Sequence, residues 1–197
     1  MRRLWLSVLM IPLLLVGCGR TEGNEAEQLA LTVRGTHLAA RSCSGCAEVT
    51  ADYGQRVYRY QIDFQADQEQ TVLTLLQPET VAGMVARLSS QEGSRLEYDG
   101  IMLETGPLDD SGLTPVSAIP ALLETVREGY LDSCVLEGGE NGSRSLRLVS
   151  RNPELEPGTG IESTLWFEPD TLALQRGEIS RDGFCVIRCE FLNLELS

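Results

Sequence analysis

The cysteines are the residues of this chain whose type and spacing could do chemistry. Beyond residue 40 there are five, at positions Cys43, Cys46, Cys134, Cys185 and Cys189. The first two have the Cys-x-x-Cys spacing of a redox pair, and the last two form a second close couple. Four interpretations of these cysteines remain open: structural disulfides, a metal site built from the two couples, thiol–disulfide exchange and buried free thiols. Disulfides suit an exported domain, and we expect neither a resident metal nor a cofactor.

The spacing of the cysteines limits how they could pair. In a strand, Cys185 and Cys189 share a face but lie about 13 Å apart, which is too far for a disulfide. Cys43 and Cys46 could bridge each other only across a tight turn. We therefore predict one disulfide between the 43–46 junction and the last strand, which would join the start of the sheet to its end. The odd number of cysteines leaves at least one free thiol in a monomer.

Other catalytic groups are sparse. The chain has neither a G-x-S-x-G nor an H-E-x-x-H motif, and these are signatures of serine hydrolases and zinc proteases. Its only histidine, His37, has no partner motif and is expected at the surface. Asp109 and Asp110 are adjacent acids in a loop, a pattern typical of solvated surface. The sequence therefore favours a protein that is not an enzyme.

The first twenty residues predict where the chain resides. Arg2 and Arg3 precede an apolar run from Leu4 to Val16, about 13 residues where a membrane span needs ~20. The tetrad Leu15–Cys18 resembles the lipobox of bacterial lipoproteins. The resemblance implies cleavage before Cys18 and a lipid on its sulfur, with further acylation in some bacteria. We expect a signal peptide over 1–17, a tether over 18–24, one domain over 25–197, and an extracytoplasmic protein held at the cell membrane by its lipid.

The charge of the chain excludes several partners. All 16 basic residues are arginine, against 29 acidic residues and a net charge of −13. A cationic face is needed to displace counterions from nucleic acid, so no nucleic-acid partner is expected. The same excess disfavours electrostatic adhesion to anionic lipid head groups. Attachment to the membrane therefore falls to the acyl chains on Cys18, and the folded body is expected to be a monomer.

Hydrophobic periodicity predicts the elements that position these residues. A helix is expected over about 25–40, and alternating segments from 47 to 104 predict six strands or so. A second helix is expected to open at Ser117, with Pro120 in its first turn, and to end at Gly129. Five further strands follow between about 131 and 196. Asp-Gly pairs at 99–100 and 182–183 predict tight hairpin turns.

This order of elements behind a lipobox resembles the LolA/LolB-like superfamily of bacterial lipoprotein carriers and receptors. EAEQLALTVRGTHLAARSCSGCAEVTADYGQRVYRYQIDF is similar to its opening helix and first hairpin. LQPETVAGMVARL, LEYDGIML and GLTPVSAIPALLETVREG are similar to its middle portion. The resemblance implies an α+β fold, a strongly curved antiparallel half-barrel of about 10–11 strands. Its concave side would be covered by an N-terminal helix and one inserted helix, around an apolar cavity.

A curved sheet needs more apolar filling than two short helices supply, so the concave side either holds a ligand or packs with aromatics. The apolar ligand would be a lipid or the acyl chain of a lipoprotein. With a filled core the domain would instead be an envelope interaction or sensing module, and a thiol–disulfide protein using Cys43 and Cys46 is the third alternative. The residues expected to line the cavity are Tyr58, Tyr60, Ile62, Phe64, Leu73, Leu75, Leu122, Leu123, Val126, Trp166 and Phe191.

Overall fold

The computed structural model describes residues 21–89, 93–106, 111–138 and 143–197. Cys18, the leader, Asp109 and Asp110 lie outside these residues. The described chain forms two helices and eleven strands. The helices are α1 (Thr21–Ala39) and α2 (Pro115–Glu128). The strands are β1 (Ser42–Asp52), β2 (Val57–Asp67), β3 (Gln70–Gln77), β4 (Val85–Ser89), β5 (Gly93–Tyr98), β6 (Ile101–Gly106), β7 (Leu131–Gly138), β8 (Arg144–Arg151), β9 (Ile161–Phe167), β10 (Leu174–Arg181) and β11 (Phe184–Leu196).

The strands form one antiparallel sheet in the order β6-β5-β4-β3-β2-β1-β11-β10-β9-β8-β7. The first and last strands of this order do not pair with each other, so the sheet is a half-barrel with two edges. Register shifts interrupt several ladders, including β1–β11 at Cys46/Ala47 and β10–β11 at Ile179/Ser180. Such bulges bend a strand and increase its twist, which is how the sheet curves. The predicted curved α+β half-barrel is confirmed.

The two predicted Asp-Gly turns are present. Asp99 and Gly100 have φ of 50° and 75°, and Asp182 and Gly183 have φ of 52° and 78°. Two successive positive φ values are the geometry of a type I′ turn, whose twist matches that of the flanking strands. Aspartate tolerates this conformation better than most residues and glycine adopts it without strain. These turns therefore fix the β5–β6 and β10–β11 hairpins.

Helix α1 begins at Thr21, so the last part of the predicted tether is helical. Its buried stripe is Ala26, Ala30, Val33 and His37, each at most 2% exposed. The expectation that His37 lies at the surface is therefore wrong. The spacing of 4, 3 and 4 residues places His37 on the same face as Val33, which packs against the rest of the fold.

Helix α2 begins earlier than predicted. Thr114 is its N-cap, with Oγ1 accepting the N–H of Ser117 at 3.2 Å, and Pro115 occupies the first turn. Ser117 is thus the third residue of the helix rather than its start, and Pro120 lies inside it. The predicted apolar stripe is confirmed by a buried set at i, i+3, i+4 and i+7. That set is Ile119, Leu122, Leu123 and Val126.

Both helices lie against the apolar face of the sheet, and their main contacts are with β1 and β7–β11. At Gly177 of β10 the approach is so close that an added Cβ would stand 2.6 Å from Leu122 Cδ1. The guanidinium of Arg34 joins the helices by donating to the carbonyl oxygens of Val126 and Gly129. No helix among the described residues combines the length and apolarity that a membrane crossing requires.

Candidate functional site

Most of the predicted cavity residues form a close-packed core. Eight of the eleven are at most 9% exposed and belong to one cluster of buried side chains. The rings of Phe64 and Phe191 meet edge to face, with centroids 6.1 Å apart. The helix-covered part of the concave face is therefore filled by side chains. The eight residues are Ile62, Phe64, Leu73, Leu75, Leu122, Leu123, Val126 and Phe191.

The other three predicted residues lie elsewhere. Tyr60 is partly buried against the core, and Tyr58 is 38% exposed near the start of β2. Trp166 faces the convex side, because its neighbours in β9, Leu165 and Phe167, take the concave face and are fully buried. Successive residues of a strand point to opposite faces. The assignment of Trp166 to the cavity is therefore wrong.

An apolar row crosses the half of the sheet that the helices cover least. Residues directly opposite each other in paired strands share a face, so the register places one side chain from each of β2 to β6 side by side. Phe64, Leu73 and Ala86 are at most 2% exposed, Leu96 is partly buried, and Leu103 is 59% exposed. We call it the open row: Phe64, Leu73, Ala86, Leu96 and Leu103.

A second apolar feature lies where β1 ends and β11 begins. This cleft, which we call the rim cleft, has a volume of about 530 Å³. Tyr53 Oη donates to the carbonyl oxygen of Leu113 at 3.1 Å, joining the β1–β2 turn to the segment before α2. Sequence reasoning missed this site, although its aromatic residues flank predicted turns. The rim cleft is lined by Asp52, Tyr53, Gly54, Leu113, Arg181, Phe184 and Val186.

The convex face carries a polar cleft of about 440 Å³. Its lining comes from β1, β2, β3 and β11 and includes Ser44, Cys46, Asp63, Gln65 and Asn193. The side-chain oxygen of Asn193 accepts the N–H of Cys46, and the Gln61 amide lies 3.5 Å from the Cys46 sulfur. These polar groups already bond to one another across the strands, which gives the cleft a structural explanation.

Charged residues around Trp166 form a network on the same convex face. The Arg176 guanidinium lies 4.7 Å from the Trp166 ring centroid, a cation–π distance. Arg176 also pairs with Glu178, which accepts a 2.7 Å hydrogen bond from Arg188. Desolvation opposes ionisation of Glu178, but the hydrogen bonds and charges of the two arginines prevail and lower its pKa. Trp166 thus stabilises the outer surface of β8–β11.

The five cysteines of the described chain are free thiols. Cys46 lies opposite Asn193, four residues from Cys189, so about 13 Å separates the two along the strands. A disulfide needs Cα atoms within about 7 Å. Cys43 and Cys46 belong to one continuous strand instead of a tight turn, and Cys134 lies on the far edge strand β7. The predicted bond between the 43–46 junction and the last strand is therefore wrong.

The thiols are also poor nucleophiles. Burial raises the pKa of Cys43 to about 11 and raises that of the fully buried Cys189 further. Desolvation likewise raises the pKa of Cys46, with a smaller contribution from Asp63. The thiolate is the reactive form, so these environments oppose thiol exchange. Within the described ranges, no group of three or more His, Cys, Asp or Glu is placed to hold a metal ion.

His37 is the one buried imidazole of the described chain. Both of its ring nitrogens are buried without a hydrogen-bond partner, and its ring meets Phe167 edge to face at 6.1 Å. Burial, followed by the positive charge of Arg127, lowers the pKa of His37 to about 4. The side chain is therefore a neutral packing residue at neutral pH.

Comparison with solved structures identifies the fold. An outer membrane lipoprotein-sorting protein domain from Vibrio parahaemolyticus is similar, at 10% identity and a TM-score of 0.50, over 89% of this chain and 93% of that one. LprF from Mycobacterium bovis is similar at 15% identity and a TM-score of 0.50, over 87% and 93%. No protein-family model matches the sequence. No curated protein matches it either. The curved half-barrel fold is thus shared with these solved structures, at identities that leave function to be argued from the site.

Proposed function

We propose that this protein is an envelope lipoprotein that binds an apolar ligand on the concave face of its half-barrel without catalysing a reaction. The ligand would be a lipid or the acyl chain of another lipoprotein. The observation that carries the proposal is the open row, an apolar stripe continuous with the core that ends in solvent at Leu103. The similar structure from Vibrio parahaemolyticus, described as an outer membrane lipoprotein-sorting protein domain, supports this ligand class.

The open row has the burial pattern expected of a partly filled site. Phe64, Leu73 and Ala86 are almost completely shielded, whereas Leu103 and the neighbouring Ile101 are 59% and 72% exposed. Large exposed apolar patches on soluble domains are usually interaction surfaces. An acyl chain lying over the exposed end of the row would cover Leu103 and Ile101 and gain about 0.8 kcal/mol for each methylene buried.

The anchor belongs to the same proposal. Cleavage before Cys18 and acylation of its sulfur would tether the domain three residues before α1 begins. Because the chain is strongly acidic, its folded body would be repelled by an anionic membrane surface. The domain would then stand off from the bilayer on its tether and accept ligand from solution or from a partner. Replacing Cys18 with alanine should release the protein from the membrane fraction.

Native mass spectrometry of residues 19–197, with fluorescent fatty acids as probes, tests the binding. Each pair of methylenes removed from the probe should weaken binding about 15-fold. Leu103→Asp should weaken it strongly, because it places a charge in the open row. Leu192→Asp is the matched control, since Leu192 is 56% exposed on the convex face. Absence of binding by the unmodified chain, or equal loss in both variants, would refute the proposal.

A second candidate is a protein-interaction module, favoured by the edge strand β6. Ile101, Met102 and Leu103 are all more than half exposed, and the strand lacks the lysine or proline that commonly protects an edge. A partner could add a strand here. Met102→Lys, on the convex side of β6, should abolish capture of such a partner while leaving fatty-acid uptake intact. Loss of uptake together with capture would instead favour one shared surface.

A further inference from the structure

We infer that the rim cleft binds the anionic end of an amphiphile, with Arg181 as the cation that selects it. This inference rests on the proposed apolar-ligand function and adds the chemical class of the ligand. The ligand would carry a carboxylate or a phosphate at one end of an apolar chain. The chain would leave the cleft along the concave face toward the open row.

The cleft has the composition that such a ligand requires. Tyr53 and Phe184 are each 49% exposed, and Leu113, which belongs to the core, also lines the cleft. These side chains provide apolar surface on both sides of an opening of about 530 Å³. A pocket that is mainly apolar with a few placed polar groups is the usual form of a small-ligand site.

Arg181 is the polar group placed there. It is exposed at the end of β10, and its guanidinium has no hydrogen bond or salt bridge within the described residues. Several other arginines of the sheet are paired, including Arg147, Arg176 and Arg188. The chain as a whole has a net charge of −13 and would repel an anion. The guanidinium of Arg181, which has no partner within the described residues, would attract an anionic head group to the apolar cleft. Asp52, which also lines the cleft, accepts the N–H of Gly54 at 2.8 Å with its Oδ1.

Apolar side chains continue from the rim cleft along the concave face of β2. Tyr58 lies opposite Ala51 in the β1–β2 register, and its ring centroid is 6.2 Å from that of Tyr53. Tyr60 follows on the same face of β2 and packs against the core. Beyond β2 the same face continues through the buried Leu75 and Leu73 to Leu103, which is 59% exposed. The rim cleft and the open row would thus be two ends of one site.

Photo-crosslinking in membranes that carry the full-length chain tests this inference. The probes are a diazirine-bearing palmitic acid and the corresponding palmityl alcohol, with labelled peptides identified by mass spectrometry. The acid should label peptides containing Tyr53 or Phe184 more than the alcohol does. Arg181→Gln should reduce labelling by the acid about threefold to fivefold and leave the alcohol unchanged. Arg59→Gln, which removes an exposed arginine from the convex face of β2, is the matched control.

The outcomes separate this inference from the function on which it rests. Equal labelling of the concave face by acid and alcohol, unaffected by Arg181→Gln, would overturn the anionic head group and keep the apolar ligand. A second outcome is that the acid labels the rim cleft more than the alcohol, but Arg181→Gln and Arg59→Gln reduce this labelling equally. The preference would then come from the overall charge of the protein, and the role of Arg181 would be overturned. Failure of both probes to label any concave residue would overturn the proposed function itself.

Discussion

Acidification should destabilise the fold through one side chain, His37. The imidazole is 1% exposed, and neither of its nitrogens has a hydrogen-bond partner within the described chain. Burial and the nearby charge of Arg127 lower its pKa from 6.5 to about 4. The folded protein therefore keeps His37 neutral in a pH range where the unfolded chain protonates it.

The sign of the effect follows from proton binding. Between pH 6.5 and pH 4 the unfolded chain binds more protons at this residue, so the free energy of unfolding falls as the pH falls. A shift of one pKa unit corresponds to 1.36 kcal/mol. The shift of His37 then predicts a loss of about 2 kcal/mol at pH 5 and about 3 kcal/mol at pH 4 and below. Native proteins in general have a free energy of unfolding of about 5–15 kcal/mol, so the expected loss is a large fraction of that range.

Urea unfolding at pH 7.5 and pH 5, for the natural chain and for His37→Leu, measures the effect. Leucine has a similar volume and does not titrate, so the contributions of other groups cancel in the comparison. The free energy of unfolding of His37→Leu minus that of the natural chain should be about 2 kcal/mol larger at pH 5 than at pH 7.5. A difference that is the same at both pH values would refute the reasoning, as would an NMR titration placing the His37 pKa near 6.5.

Three further changes test the packing. Gly177→Ala should destabilise the fold by about 1–3 kcal/mol in urea unfolding, because the new Cβ would stand 2.6 Å from Cδ1 of the fully buried Leu122. Unchanged stability would contradict this close approach. Thr114→Ala should cost about 1 kcal/mol in the same assay through loss of the α2 cap, and Thr114→Ser should restore most of it. Iodoacetamide should alkylate Cys46 of the native protein well before Cys189, because Cys189 is fully buried and burial raises its pKa further. Equal rates of alkylation would argue against the buried position of Cys189.

The fold was largely predictable because its elements carry strong local signals. The alternation in residues 56–64 predicts one apolar face, and the Asp-Gly pairs at 99–100 and 182–183 predict the hairpins that the φ values confirm. The stripe of α2 is equally regular. The sequence analysis places the start of that helix at Ser117 because it does not recognise Thr114-Pro115 as an N-cap followed by proline in the first turn.

The site was less predictable because faces and registers are tertiary properties. Trp166 was assigned to the cavity for its aromatic character, although its alternation with Leu165 and Phe167 places it on the opposite face. His37 was assigned to the surface although it continues the stripe of Ala30 and Val33. The distance between the cysteines of β1 and those of β11 depends on the register of the two strands. A bulge shifts that register, and the spacing of residues in the sequence does not reveal it.

The proportions of the fold explain why an open apolar face is expected. A helix with its side chains is about 10–12 Å wide and neighbouring strands are about 4.8 Å apart, so a helix running along a sheet covers about two strands. Helices α1 and α2 together contact β1 and β7–β11, but two helices do not cover eleven strands. The remaining strands nevertheless keep apolar residues on the same face, from Phe64 to Leu103. Only the end of this face at Leu103 is strongly exposed. Because exposed apolar surface gains nothing from contact with water, the proposed function would have an apolar ligand cover that end.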